Sequence, residues 1–361
     1  MKICFLTAVN SIHSKRWAQY FLEKGHQVYW LSLGIDNKNE ISNINFYLIK
    51  KFPLKFLRPL FYVVYLKKIL REIKPDILHV HQLWIDGLIG VLSGFHPLVV
   101  TPWGSDVLIG QKSKIKRPLI EFILEKADLI TTDGENTKAI IENLGINSQK
   151  IKRICFGVDV KKFKPEPESK ELKRSLGITN SSTVISLRSL MPIYDLKTLI
   201  QAIPLILEKA KNAKFIIVGE GPEKEELLST SRSLGVFDSV KFIGSISNEE
   251  IHKYLNLADV YVSTALSDSG IAASTAEAMA CGLPVVVTDT GDNNRWIKNG
   301  ENGFVIPIKN PEALAEKIIY LIRDKKLGEK IGGINRKVIE ERNNYYKEME
   351  KMERIYINLL S

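Results

Sequence analysis

The chain has 361 residues, 45% of them apolar and 25% charged, with a net charge of +10 at pH 7. That length exceeds one ordinary domain and suits two, and the composition is that of a soluble globular protein. No apolar stretch reaches the roughly 18–20 residues of a membrane span, no leader pattern follows Met1, and Cys4, Cys155 and Cys281 lack pairing or ligand spacing; a reduced, cytoplasmic protein is expected.

Short apolar runs alternate with amphipathic stretches. The pattern predicts strands over 3–8, 27–33, 77–80, 98–101, 129–132 and 151–154, then over 183–187, 214–218, 240–243, 260–263, 284–288 and 303–305. Helical stretches such as 15–24 and 196–209 lie between them. Such alternation predicts an α/β protein of two doubly wound, Rossmann-like domains facing a cleft. A polar stretch, 161–170, reads as the linker between residues 1–160 and 171–335, and one long charged helix over about 335–360 closes the chain, packing back toward the first domain.

Charge is uneven. Residues 1–165 hold 25 Lys and Arg against 14 Asp and Glu, whereas the remainder holds 26 against 27. A basic first half favours an anionic partner. Residues 50–71, KKFPLKFLRPLFYVVYLKKILR, carry seven basic and no acidic residues among many Phe, Tyr and Leu. Lys50, Lys51, Lys55 and Arg58 are candidate contacts to an anionic membrane surface, the alternative being a helix over 60–70 packed on its own sheet. No nucleic-acid-binding motif accompanies the charge, and none is expected as partner.

Ligands of doubly wound sheets bind past the carboxyl ends of the strands. His81 lies just past the strand at 77–80, with His79 on the same face. Either His81 lines the cleft or both are packed, and no further ligands accompany them for a metal. His13, Trp84 and Asp106 follow other strands as candidate acceptor or sugar contacts; Asp106 either receives hydroxyls or caps the next turn. Arg188 follows the strand at 183–187 and can fork onto a diphosphate or stay at the surface. Gly219, Glu220, Gly221 and Gly244 border a possible ligand or form ordinary tight turns. The small-residue run from Gly270 through Ile271, Ala272, Ala273 and Ser274 predicts a helix start near 271–272 that admits a diphosphate closely. Glu277 lies about 7.5 Å further along the helix, a fitting separation for the ribose, unless the alanines only allow close packing and Glu277 is solvated. There is neither a G-x-x-x-x-G-K-[ST] loop nor a D-x-D anywhere.

Glu277-Ala278-Met279-Ala280-Cys281-Gly282-Leu283-Pro284-Val285-Val286 resembles the E-A-M-A-x-G-x-P-V-V run of retaining glycosyltransferases of family 4, which have the two-domain GT-B fold. Gly25-His26-Gln27-Val28, Asp76–His81, Gly157-Val158-Asp159 with Phe163, Val218–Pro222, Val240–Gly244, Ala258–Val262 and Asn299–Gly303 match in order, so the resemblance covers nearly the whole chain. It implies a nucleoside-diphosphate sugar as co-substrate, without cofactor or metal, bound mainly by the second domain, and an acceptor bound by the first. By that likeness Arg188 holds the diphosphate, Glu277 the ribose, Gly219–Gly221 and Gly244 border the nucleotide, and His81 lies near the transferred sugar. Such enzymes retain configuration without an evident protein nucleophile, the leaving diphosphate helping to deprotonate the acceptor.

Three departures stand out. Ser267-Asp268-Ser269-Gly270 replaces E-G-F-G, so Asp268 and Ser269 stand where a sugar-reading glutamate is usual. No lysine follows Arg188 before Lys197. Asn10-Ser11-Ile12-His13 replaces a glycine-rich loop. The expectation is a metal-independent hexosyl or N-acetylhexosaminyl transferase using a UDP-sugar, or next a GDP-sugar, on a lipid-linked or cell-surface glycan such as a polyprenyl-diphosphate, at the cytoplasmic face of the membrane. The alternatives are a degenerate binding subunit and a same-fold epimerase.

Overall fold

The computed structural model describes residues 1–8, 11–33, 43–50 and 52–361. It divides into two compact units, residues 1–156 with 347–361, and residues 157–346.

In unit 1 seven parallel strands form one sheet: β1 (Lys2–Leu6), β2 (Gln27–Leu33), β3 (Asn45–Ile49), β4 (Ile77–His81), β5 (Leu98–Thr101), β6 (Leu129–Thr132) and β7 (Ile151–Arg153), in the order β3-β2-β1-β4-β5-β6-β7. The central strands are buried along their length because helices cover both faces, which is why they read as unbroken apolar runs. Helices Arg58–Ile73, Ile85–Leu92 and Lys116–Lys126 share one face, joined through Leu66, Ile89 and Ile123 in a single core cluster. On the other face Phe5, Trp17, Phe21 and Tyr356 are fully buried. Burying a Phe there contributes roughly 1.5–3 kcal/mol.

Unit 2 repeats the plan with β8 (Thr183–Leu187), β9 (Lys214–Val218), β10 (Val240–Gly244), β11 (Val260–Ser263), β12 (Val285–Thr288) and β13 (Phe304–Ile306), in the order β10-β9-β8-β11-β12-β13. In each sheet the strand order reverses once, between β1 and β4 and between β8 and β11. These are the points where doubly wound sheets bind ligands.

Three features differ from the sequence expectation. Strand β3, five residues of N-F-Y-L-I, was not foreseen: four of its residues are only half-buried or exposed, as befits an edge strand. The long terminal helix is two helices, Lys325–Arg342 and Tyr345–Leu360. The break comes where Val158 pairs with the chain: its N–H donates to the Asn343 carbonyl at 2.7 Å, and its carbonyl accepts from Tyr345 N–H at 2.9 Å. Gly157 permits that approach, since a Cβ there would lie 2.4 Å from the Tyr345 Cα. Residues 161–170, read as a linker, belong to unit 2. Arg336 donates to the Val160, Phe163 and Ala280 carbonyls, and Phe163 is buried.

Candidate active site

At the switch point of unit 2, Arg188 follows β8 and the 264–272 loop follows β11. Arg188 is only 9% exposed. Its Nη2 donates to Asp268 Oδ1 at 2.9 Å, and its guanidinium carbon lies 3.9 Å from the centroid of the Tyr194 ring. Burial disfavours the arginine charge, and the Asp268 carboxylate overrides it. Burial also pushes the Asp268 carboxyl above its usual range, an effect Arg188 only partly offsets. The arginine expected to meet a diphosphate is thus already paired and fixed in direction.

The helix after this loop runs Ala273–Ala280, beginning one or two residues later than the sequence predicts, and has no side-chain cap at Ala272. Its first N–H groups and dipole favour an anion. Ser274 Oγ lies 2.8 Å from the buried Tyr261 hydroxyl, tying the helix start to β11. Glu277 lies one turn further, half-buried. The 268–270 loop is braced from behind: the Gly270 carbonyl accepts from Asp292 N–H at 3.1 Å, and a Cβ on Gly291 would fall 2.5 Å from the same oxygen. Ser269, Gly270, Ile271 and Ala272 therefore sit in a fixed loop beside Arg188.

The strand-end glycines are explained by their own backbone. A Cβ on Gly219 would lie 2.3 Å from the Arg188 carbonyl oxygen, and one on Gly221 would lie 2.3 Å from that of Leu190. Gly219 N–H donates to the Gly244 carbonyl at 2.9 Å, while Glu220 Oε1 pairs with Lys224 at 2.9 Å. These residues seat the Arg188 loop. Lys197, the first lysine after Arg188, pairs with Glu226 at 2.8 Å.

In unit 1, His81 is the last residue of β4 rather than one past it, and is 1% exposed. Its Nδ1 meets Ser14 Oγ at 2.7 Å, and that hydroxyl meets Thr7 Oγ1 at 2.9 Å. Burial lowers His81 to about 3, so its ring is neutral. His81 Nε2, His13 Nδ1 and Trp103 Nε1 are buried without partners among the described residues. They belong to one aromatic cluster: Trp103 lies 6.2 Å from both histidine rings, and His13 stacks on Phe156 at 4.3 Å. Buried polar atoms usually find partners, and these three share one cluster. Trp103 and Phe156 were not singled out from sequence; only the position of Trp103 after β5 pointed to it.

His79 differs from His81 in having both nitrogens satisfied, Nε2 with Thr101 Oγ1 at 2.5 Å and Nδ1 with the Tyr356 hydroxyl, which leaves no lone pair for a metal. Asp106 is a correction as well. Its carboxylate accepts from the N–H groups of Leu83, Trp103 and Val107 at 2.9–3.2 Å and is buried, so it clips the 82–84 and 103–107 loops instead of facing a sugar. Trp84 precedes the Ile85–Leu92 helix, half-buried, with Lys116 Nζ 4.6 Å over its ring. Lys50 is exposed, and Arg58 turns back to donate to the Phe52 carbonyl at 2.8 Å. Asn10, Lys51 and the Lys55 side chain lie outside the described residues. Among the described residues no helix is long and apolar enough to cross a membrane.

Comparison with known proteins fits this architecture. Residues 168–338 match the family described as Glycosyl transferases group 1, and residues 2–134 match the family described as Glycosyl transferase 4-like. Over 229 residues the chain is 25% identical to a GDP-mannose-dependent alpha-(1-6)-phosphatidylinositol monomannoside mannosyltransferase of Mycobacterium tuberculosis, a match spanning 62% of this chain and 60% of that protein. It is 23% identical over 350 residues to N-acetyl-alpha-D-glucosaminyl L-malate synthase of Bacillus anthracis, covering 94% of this chain and 91% of that one. Among solved structures, Anabaena HepE in complex with UDP-glucose superposes with a TM-score of 0.86 at 21% identity, over 99% of this chain and 100% of that one. Sucrose-phosphate synthase from Thermosynechococcus elongatus gives 0.85 at 18%, over 99% of each. At such identities the structural likeness speaks for the fold alone, and the family matches carry the rest: the chain belongs to the family-4-like glycosyltransferases and has their GT-B fold.

Proposed function

We propose that the chain transfers a hexose-type sugar from a nucleoside-diphosphate sugar to a lipid-linked or cell-surface glycan acceptor, with retention of configuration and without a metal. The observation that carries this reading is the fixed Arg188 guanidinium on β8 beside the uncapped 273–280 helix, with Glu277 one turn in. The helix start and Arg188 would neutralise the diphosphate. Glu277 would accept hydrogen bonds from the ribose hydroxyls. Unit 1 would take the acceptor at the orphaned nitrogens of His81, His13 and Trp103. In transfer, the acceptor oxygen bonds to the anomeric carbon, the bond to the diphosphate breaks, and the acceptor proton passes to a diphosphate oxygen. The protein supplies position and charge.

A UDP-sugar is favoured and a GDP-sugar comes next. The relative from M. tuberculosis is GDP-mannose-dependent, and HepE binds UDP-glucose. A thermal-shift series of UDP-, GDP- and ADP-sugars tests this, because a ligand at 100 times its Kd adds about 2.7 kcal/mol of stability. No shift from any of them would sink the proposal. One observation favours a second reading, a binding subunit without turnover: Asp268 already occupies Arg188. Donor hydrolysis or transfer to any acceptor rules that out. The expected acceptor would bring unit 1 to a membrane surface.

A further inference from the structure

We propose that two basic, apolar prongs at the carboxyl edge of the unit 1 sheet form one docking face for an anionic lipid surface. The inference rests on the lipid-linked acceptor proposed above. All strands of this sheet are parallel, so every helix leading into a strand begins at the carboxyl edge. The helices Arg58–Ile73, Ile85–Leu92 and Lys116–Lys126 share one sheet face, and their starts therefore line up along one rim.

The first prong lies at the start of the Arg58–Ile73 helix. Phe56 is 78% and Leu60 is 64% exposed, with Val64 one turn on and the exposed Lys50 just past β3 at the same edge, while Lys67, Lys68 and Arg71 lie toward the other end of the helix. The second prong was not apparent as such in the sequence. It is the 107–117 segment, where Ile109 is 64% and Ile115 is 89% exposed beside the exposed Lys112, Lys114 and Lys116. No acidic residue occurs between Val107 and Leu119. Arg117 is set aside because it pairs with Glu121 at 2.7 Å. The second prong is seated on the middle helix. Lys116 lies over Trp84, which precedes that helix, and a Cβ on Gly110 would come within 3.1 Å of the Trp84 ring.

Large exposed apolar side chains grouped among charges of one sign mark an interaction surface. Lysines interleaved with isoleucine and phenylalanine, with no carboxylate among them, complement anionic headgroups while the apolar tips enter the acyl boundary. One such prong binds marginally, and two on a rigid sheet act together. Since β4 and β5 end at the same rim, docking there would bring His81 and Trp103 toward the lipid surface.

The experiment is co-sedimentation of the full chain with vesicles of phosphatidylcholine alone or with phosphatidylglycerol. The protein should bind only the anionic vesicles. The variant K112E/K114E/I115S should lose affinity by more than about tenfold, as should F56S/L60S, with melting temperatures unchanged because all five side chains are exposed. K112Q/K114Q serves as a milder second variant and should lose affinity in the same direction. Failure of the parent to bind, equal binding to neutral vesicles, or a second-prong variant that binds like the parent each overturns the proposal. So does a parent that dimerises in solution while F56S/L60S and K112E/K114E/I115S are monomers. Vesicle binding is read without donor, and the UDP-sugar thermal shift without vesicles, so loss of one leaves the other standing.

Discussion

Arg188 Nη2 and Asp268 Oδ1 meet at 2.9 Å, joining the residue after β8 to the loop after β11 at the point where the unit 2 sheet reverses order. Both side chains are largely removed from water. Removing one partner of a buried pair costs about 3–5 kcal/mol, because the other charge is left uncompensated. Asp268→Ala should therefore lower the melting temperature of the ligand-free protein by roughly 10 °C. UDP should raise the variant's melting temperature more than the parent's, since the diphosphate re-pairs Arg188. Equal shifts in the two proteins would show that the diphosphate does not reach the arginine.

Glu277→Ala and Arg188→Ala test the donor assignment by turnover. Loss of one electrostatic contact to a developing charge typically costs about 100-fold or more in kcat. Arg188→Ala is expected to act mainly on kcat and Glu277→Ala mainly on KM for the donor. Steady-state kinetics on purified, folded variants separate the two. Unchanged turnover in either would remove that residue from the site.

Stability of unit 1 should depend on pH in two opposed ways. Burial pushes the Asp86 carboxyl up to about 7, so its contribution is fully present below about pH 4 and is lost as pH rises through 7. Burial lowers His13 to about 4 and His81 to about 3, so theirs is present above about pH 6.5 and is lost as pH falls. Each group acts at about 1.4 kcal/mol per pH unit within its window. Asp86→Asn should raise the melting temperature at pH 8 and change it little at pH 4. Calorimetry at both values decides it; an equal effect at both would place the Asp86 carboxyl in water.

Two glycine-to-alanine changes should have opposite signs. Gly219 has φ +145° and faces the Arg188 carbonyl, so Gly219→Ala is expected to cost about 2 kcal/mol or more and to lower donor binding with it. Gly333, inside the Lys325–Arg342 helix, has nothing within 4 Å of a Cβ, so Gly333→Ala should stabilise by about 1 kcal/mol. Urea unfolding of the two variants beside the parent measures both.

Much of the fold was legible because central parallel strands covered on both faces must be short apolar runs, and among the described residues twelve of the thirteen strands were predicted, the edge strands β7, β10 and β13 with them. β3, the remaining edge strand, was not. The break at Asn343–Asn344 was hidden for a different reason: the residue that interrupts the helix, Val158, is far away in sequence. At the site, residue types were readable and their partners were not. Nothing in a linear reading says that Asp268 turns to Arg188, or that His79 is held by Tyr356 while His81 keeps one nitrogen open. Those outcomes are decided by partners 80 and 277 positions away.

The Tyr356 hydroxyl that closes on His79 has a consequence for the order in which the protein is made. Residues 347–361 leave the ribosome only after all of unit 2, yet they complete the sheet face of unit 1, with Glu353 reaching His26 and Tyr20 from the last helix. The first unit to be synthesised is thus the last to be finished. Until then Phe21 and His79 wait uncovered, and a chain that ends at residue 346 would hold all of unit 2 with unit 1 still unfinished.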